Sequence, residues 1–477
     1  MFFNKIHKCL IIDKFGFDSK WSLLVFFMFS FAVAFCFQLG DLVTTSWQGY
    51  KIWDFLVEGR LMDFYPICQS MPHFDGAGYD PQIYIVFALW NLPIWIVHKI
   101  LSIPVNPGIV TYWSRVMLML LYLMSATILK DIVSIMSSQA DEDILLQDKK
   151  NHNAENSNAM FLLTPFAFFS ILVLGCYDII AIFFSLLAIK AFLKGNVFAF
   201  AILIGISNMF KYMTFIIYIP LLLLLEKRTR RIVFSFMLGV VPTLLGCLLK
   251  RIMSNSVAQG ELHERVVVKF LSWTISNGHS VPASIFFVGF FIICYVAYSI
   301  KCTSISERNQ WMAFIPLLCF SWLFIAIAPN PQWTVLLAPF LVLNLCLNPE
   351  HKDTLLLAEA GAFIGFTGMC FVSTHTDEQL IDVCSALAYV FRFQKLYHNF
   401  KYDTCALTSS IQCLPSILLS LYIASLACFN LFSVPIRKMH LSTGTTITRK
   451  DMLLRFCVIL VFIVPVAICY TLSYVYR

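Results

Sequence analysis

The apolar residues of this chain fall in long unbroken runs rather than in the alternating or amphipathic patterns of a water-soluble domain. Such runs cover 21–40, 83–101, 116–136, 160–177, 179–193, 198–225 and 232–249, and continue at 285–300, 311–328, 333–347, 354–372, 416–432 and 453–470. A hydrocarbon core of ~30 Å takes about 20 apolar helical residues to cross, so the pattern predicts about thirteen transmembrane spans. Backbone at lipid depth must satisfy its own hydrogen bonds, which makes these spans helices. The expected fold class is an all-α polytopic membrane protein, and no break in composition divides 1–477 into more than one transmembrane domain.

Between the first two runs, 40–80 is too polar to span and too aromatic for an ordinary linker. Trp47, Tyr50, Trp53, Phe55, Phe64 and Tyr65 recur there at helix-like intervals. The stretch 44–59 is expected to form an amphipathic helix on the membrane surface, either as a substrate platform or as part of an interfacial aromatic belt. A similar reading, or the tilted end of a span, applies to 266–273.

Composition sharpens this picture. The chain is 59% hydrophobic and 13% charged, against roughly 25% charged in soluble domains. Its net charge of +7 resides mainly in short loops such as Lys227, Arg228, Arg230 and Arg231. That placement reads as a topology signal and as contact with lipid headgroups, not as nucleic-acid binding. Lys5, Lys8, Lys14 and Lys20 put the N-terminus in the cytoplasm, ahead of a first helix read as retained rather than cleaved. Alternating spans then place 40–80, 138–158, 250–280 and 373–410 outside. Asp178 falls at the cytoplasmic end, unless the short spans around it are re-entrant. The 16 cysteines show no metal-binding spacing, so neither a metal nor a cofactor is implied. Cys68, Cys384 and Cys405 leave room for one external disulfide.

Ionisable side chains at the ends of apolar runs carry the candidate chemistry. Asp41 stands at the outer end of the first run, where a carboxylate can serve as a general base or simply mark a helix end. Lys211 lies inside an apolar stretch. An ammonium there binds an anion or pairs with a carboxylate such as Asp178.

Five stretches resemble the GT-C superfamily, the integral-membrane glycosyltransferases that use polyprenyl-phosphate sugars, and most nearly its bacterial polyprenol-phosphate-mannose-dependent mannosyltransferases. They are Asp41 followed by Gly59 to Tyr65; the Tyr79–Asp80–Pro81–Gln82–Ile83–Tyr84 opening of the second run; GCYDIIAIFFSLLAIKAFLKGN (175–196) with GISNMFKYMTFIIYIPLLLL (205–224); SNGHSVPASI (276–285); and APNPQWTVLLAPFLVL (328–343). The resemblance covers roughly 20–345 as a GT-C-like module, with additional helices over 346–477.

The resemblance implies inverting transfer of a mannose-like hexose from a polyprenyl-phosphate donor to a lipid- or glycan-linked acceptor. The reaction would occur on the outer face of a plasma membrane. Such a reaction needs one base, because the phosphate leaves readily, and Asp41 is the expected catalytic residue. Lys211, Arg60, Arg265 and His279 would bind the donor phosphate. Tyr50, Tyr79, Gln82, Tyr84, Asp178, Gln332 and Trp333 would hold sugar or acceptor. The implied partners are membrane lipids, the polyprenyl-phosphate-linked sugar and a glycan or glycolipid acceptor. The alternatives are a polysaccharide polymerase and a lipid-linked oligosaccharide flippase or transporter. The second is disfavoured by the lack of internal repeats.

Overall fold

A computed structural model describes residues 20–36, 40–70, 78–139, 156–253, 270–271, 273–275, 282–327, 329–372, 413–435 and 447–475. Arg265, His279, most of 266–273, the lysines at 5–14 and the cysteines at 384 and 405 lie outside them. Cys68 is buried and free.

The chain is an all-α polytopic membrane protein. Among the described residues six helices are long and apolar enough to cross a membrane, or seven if a pair bent by 50° counts as one span; shorter apolar helices of 10–17 residues accompany them. The expected count of about thirteen is therefore not established by length and hydropathy. One two-stranded antiparallel ladder, Thr274–Ile275 with Ala283–Ser284, is present.

The bent pair joins Asn156–Leu162 to Pro165–Val173. Pro165 has no N–H to donate and cannot continue the helix smoothly, so the Phe161 carbonyl accepts from Thr164 N at 3.1 Å instead. Side chains satisfy the remaining carbonyls at the break. The Tyr122 hydroxyl donates to Leu162 O at 2.8 Å and Phe161 O at 3.2 Å. Thr164 Oγ1 donates to Met160 O at 2.8 Å, and Arg455 donates to the same carbonyl. Non-helical backbone at membrane depth survives where protein supplies its partners.

Contacts fix the direction of each helix. Ile179–Leu193 and Val197–Phe210 are antiparallel, with Ser185 on Ser207 and Phe192 on Phe200. The chain reverses again at Lys211, and Phe215–Leu225 returns beside Phe200. Val197–Phe210 and Thr229–Ile252 then run in the same direction and touch at Gly205 and Gly239, where a Cβ on Gly205 would collide with the Gly239 carbonyl. Small residues permit that close backbone approach. The run 198–225, read from the sequence as one span, is therefore two helices of opposite direction.

Pro81–Leu101 corrects the reading of 83–101 as a simple crossing. Gln82 on its first turn donates to Met209 O, Trp90 stacks on Trp113 at 5.2 Å, and Asn91 reaches Ser114 at 3.1 Å. The link 102–106 then leads directly into Pro107–Ser138. That helix passes the same level at Arg115, which donates to Ala34 O and Leu172 O. Its far end lies at the opposite side of the bundle, where Asp131 pairs with Lys190 at 2.6 Å and Asn309 with Gln139 at 2.9 Å. Both ends of Pro81–Leu101 thus lie on one side.

The two miscounts offset each other for Lys227–Arg231, but not for Asp178. Asp178 lies at the same end of the bundle as Asp41, not at the opposite end expected from alternating spans.

Candidate functional site

Helix starts converge at this end of the bundle and bring charge with them. Asp41 is in the first turn of Gly40–Val57, Asp80 is the N-cap of Pro81–Leu101, and Asp178 is the N-cap of Ile179–Leu193. Carboxylates are favoured at helix N-termini, whose first N–H groups carry partial positive charge. Lys211, extended between Val197–Phe210 and the short turn Tyr212–Thr214, brings the opposite charge.

Three sequence-adjacent pairs close a ring. The Tyr79 ring meets the Tyr177 ring edge-on at 5.3 Å. Next to Tyr177, Asp178 Oδ2 lies 2.7 Å from Lys211 Nζ, a close ion pair rather than an aligned hydrogen bond. Next to Lys211, the Tyr212 hydroxyl donates to Asp80, and Asp80 follows Tyr79 in the chain. Asp41 joins through Tyr79, whose hydroxyl donates to its Oδ2 at 2.8 Å. Lys250, in the last turn of Thr229–Ile252, joins through Asp80 at 3.0 Å. The Trp333 ring lies 5.3 Å from the Lys211 ammonium, within cation–π range.

Backbone geometry supports the ring. Gly175 has φ +69°, a conformation that favours glycine. A Cβ there would lie 2.7 Å from Leu42 Cδ2 and 3.3 Å from Arg115 Nη2. Buried Arg115 therefore braces the turn that carries Tyr177 and Asp178 while it holds the carbonyls of Ala34 and Leu172. The Tyr65 hydroxyl donates to Tyr79 O at 2.8 Å, and Tyr79 N donates to the Tyr84 hydroxyl at 3.2 Å.

Of the residues singled out in the sequence, Asp41, Tyr79, Asp178, Lys211 and Trp333 are brought together here. Gln332 is adjacent: its carbonyl accepts from Cys176 Sγ at 3.5 Å, and its Oε1 is buried without a hydrogen-bond partner. Tyr84 and Gln82 support the ring from behind. Tyr50 is buried in packing, stacked on Trp47 at 5.2 Å. Arg60 is exposed and pairs locally with Asp63 at 3.1 Å and Glu58 at 3.4 Å.

Sequence reasoning passed over Asp80, Tyr177, Tyr212, Lys250 and Arg115 as site residues. One signal was available: a tyrosine stands beside a charge at 79–80, ahead of an apolar run, at 177–178, between two runs, and at 211–212, inside one.

Burial shifts two titratable groups at the site. Burial, reinforced by the Asp41 charge, keeps the Tyr79 hydroxyl well above its ordinary pKa, so it stays a donor. Burial, with Asp178 behind it, likewise pushes the Cys176 thiol well above its ordinary value. A nucleophilic cysteine needs the thiolate form, which burial disfavours at Cys176. Among the described residues no group of three or more His, Cys, Asp or Glu side chains is arranged to hold a metal ion.

A family comparison decides the assignment. The family described as "PIG-U: GPI transamidase subunit PIG-U" matches residues 91–333, which include Asp178, Lys211, Lys250, Gln332 and Trp333. The chain belongs to the PIG-U family. No curated protein and no solved structure matches it.

This membership overturns the resemblance to the GT-C mannosyltransferases and the activity and donor drawn from it. The chain is assigned neither as a glycosyltransferase or mannosyltransferase nor as a flippase, and a polyprenyl-phosphate sugar donor is not its partner. Two of the misleading stretches, at Asp41 and at Tyr79–Tyr84, are aromatic and charged residues at helix starts. Any polytopic protein needs such caps where its helices meet water. The family match begins downstream of Asp41 and of the Tyr79–Tyr84 stretch, on which much of the resemblance leaned.

Proposed function

We propose that this chain is a membrane subunit of a GPI transamidase, the enzyme that attaches proteins to GPI anchors. In this reading it sits in the endoplasmic reticulum membrane, beside the other transamidase subunits, and contacts the GPI-anchor precursor. The family match over 91–333 carries the proposal. The site chemistry agrees with it. Transamidation needs a nucleophile activated by a base; the buried Cys176 thiol lacks that activation, which suits a subunit that binds rather than cleaves. A glycosylphosphatidylinositol combines hydroxyls and phosphate with acyl chains. The ring offers carboxylates, ammonium groups, tyrosines and an indole at the end of an apolar bundle, which suits such a headgroup.

Orientation follows from the charge pattern. The helix from Tyr212 to Leu225 separates the ring from Lys227 and Arg228 by about 20 Å of helical rise. By the positive-inside rule the basic end faces the cytoplasm and the ring faces the lumen. The shorter apolar helices and the bent pair would cross as well, and the chain would act as one transmembrane unit. Pro81–Leu101 and Gly40–Val57 would lie along the lumenal interface.

The test is purification of the tagged full chain from its own membranes in mild detergent. The transamidase subunits should co-purify with it. Recovery of the intact, folded chain without any of them would sink the proposal.

A further inference from the structure

The end of the bundle opposite the ring gathers positive charge. Lys194, Arg228, Arg230 and Lys301 are exposed in or beside its turns, and Arg308 is in the first turn of Ile305–Ala326. Contacts bring these turns together. Lys227 Nζ donates to Ala297 O at 2.9 Å and Tyr298 O at 2.8 Å, at the end of Ile285–Ser299 that leads to Lys301. Phe198 meets Phe234 edge-on at 5.7 Å, which joins the starts of Val197–Phe210 and Thr229–Ile252. The Arg308 guanidinium lies 5.9 Å from the centre of the Phe192 ring, two residues before Lys194.

Nearby carboxylates are already engaged: Asp131 with Lys190 at 2.6 Å, Glu226 with Arg231 at 3.4 Å, and Glu307 with Thr303 N at 2.7 Å. Among the described residues no carboxylate pairs with Lys194, Arg228, Arg230, Lys301 or Arg308. Helix Pro107–Ser138 ends on this face. Gln139 donates to Leu193 O at 3.5 Å and accepts from Asn309 at 2.9 Å, so it sits beside Lys194 and Arg308, the chain neighbours of its two partners. The sequence that follows, 140–155, lies outside the described residues and carries five acids and two lysines. Asp141, Glu142 and Asp143 come first. Two to four residues of extended chain span at most roughly 7–14 Å, so connectivity alone keeps these three acids near the unpaired cations.

We propose that the acidic segment 140–155 docks on this basic face, with Asp141, Glu142 and Asp143 against Lys194 and Arg308. Charge complementarity and the short tether favour this occupant over a separate chain, because a tethered partner binds at high local concentration. The competing occupant is the anionic lipid headgroup.

The experiment is zero-length carbodiimide cross-linking of the full chain in nanodiscs, followed by digestion and mass spectrometry. A carbodiimide joins a carboxylate to an amine only where the two touch, and the Asp131–Lys190 pair is the internal control for a folded chain. A link from Asp141, Glu142 or Asp143 to Lys194 is expected, both in phosphatidylcholine and with phosphatidylserine added. Arg308→Lys should add a second link at position 308. Arg308→Glu should lower the link to Lys194 about fivefold, the effect of reversing one surface charge, and leave the control link unchanged. Acids linked only to Lys149 and Lys150, or not at all beside an intact control link, would overturn the proposal. Loss of the Lys194 link on adding phosphatidylserine would also overturn it and assign the face to lipid headgroups.

Discussion

At Gly175 a single missing Cβ decides whether the site forms. The residue combines φ +69° with Leu42 and Arg115 at contact distance. Gly175→Ala is expected to destabilise the fold by about 1–3 kcal/mol, the range for a non-glycine residue forced into such a conformation. A fall in the thermal midpoint of the detergent-solubilised chain would show it; an unchanged midpoint would mean that the turn relaxes without cost. Asp54 supplies a pH dependence. Burial raises its carboxyl, but hydrogen bonds from Trp95, Lys99 and Lys51 outweigh burial and hold it below its ordinary value. A depressed folded-state pKa stabilises above the ordinary carboxylate range, and that contribution fades as pH falls through the folded value. Docking of Gly40–Val57 onto Pro81–Leu101 should therefore loosen in acid. Asp54→Asn should abolish that dependence, as read by protease protection of the 58–80 connection across pH. Asp41, Asp178 and Lys211 were legible in the sequence because an ionisable group at the edge of lipid is costly and needs a reason. Tyr79 was legible as a polar contact, but its partner Asp41 lies 38 positions away, and no local pattern announces that pairing.

Among the helices, the bent pair and the C-terminal helix Arg449–Val475 depend on each other. Arg455 pairs with Glu359 at 2.6 Å, both side chains at 2% exposure or less, and also reaches Met160 O and Thr164 Oγ1 at the bend. Lys352 and Asp451 form a second pair at 2.8 Å between the same two helices, Lys352–Val372 and Arg449–Val475. Glu359→Ala leaves a buried guanidinium uncompensated and should cost about 3–5 kcal/mol. Replacing Glu359 and Arg455 together by Leu and Met should recover much of that loss. Denaturation midpoints of the single and double variants measure it, and equal losses in both would show that the charge is not the cause. Tyr122→Phe strips a donor from two carbonyls at the bend and should cost about 1–3 kcal/mol by the same assay. Helix existence was readable from apolar runs, whereas helix direction was not. The reversal at Lys211 leaves hydropathy almost unbroken, because a lysine paired with a buried Asp178 needs no polar neighbours in sequence. The bend at Thr164–Pro165 was likewise hidden inside one apolar run.

For the molecule as a whole, the proposed orientation puts the basic loops on the cytoplasmic face and the ring on the far one. A cysteine introduced at Glu58, near the ring end, should react with a membrane-impermeant reagent only from the lumenal side. One introduced at Lys301, beyond the opposite end of Ile285–Ser299, should react only from the cytoplasmic side. Reaction of both from one side would refute the helix directions derived from the contacts. The sequence showed an all-α membrane protein because composition alone forces that conclusion. It misled on function because caps of tyrosine and charge at helix ends are shared chemistry, and only a match across 91–333 distinguishes families that use them.

The most direct test of the central claim is to deplete this chain from its own cells and analyse the GPI lipids and the anchored proteins together. A transamidase subunit predicts that complete GPI precursor accumulates while proteins destined for anchoring stay unattached. Accumulation of a precursor truncated at one sugar, or normal anchoring without the chain, would contradict the account.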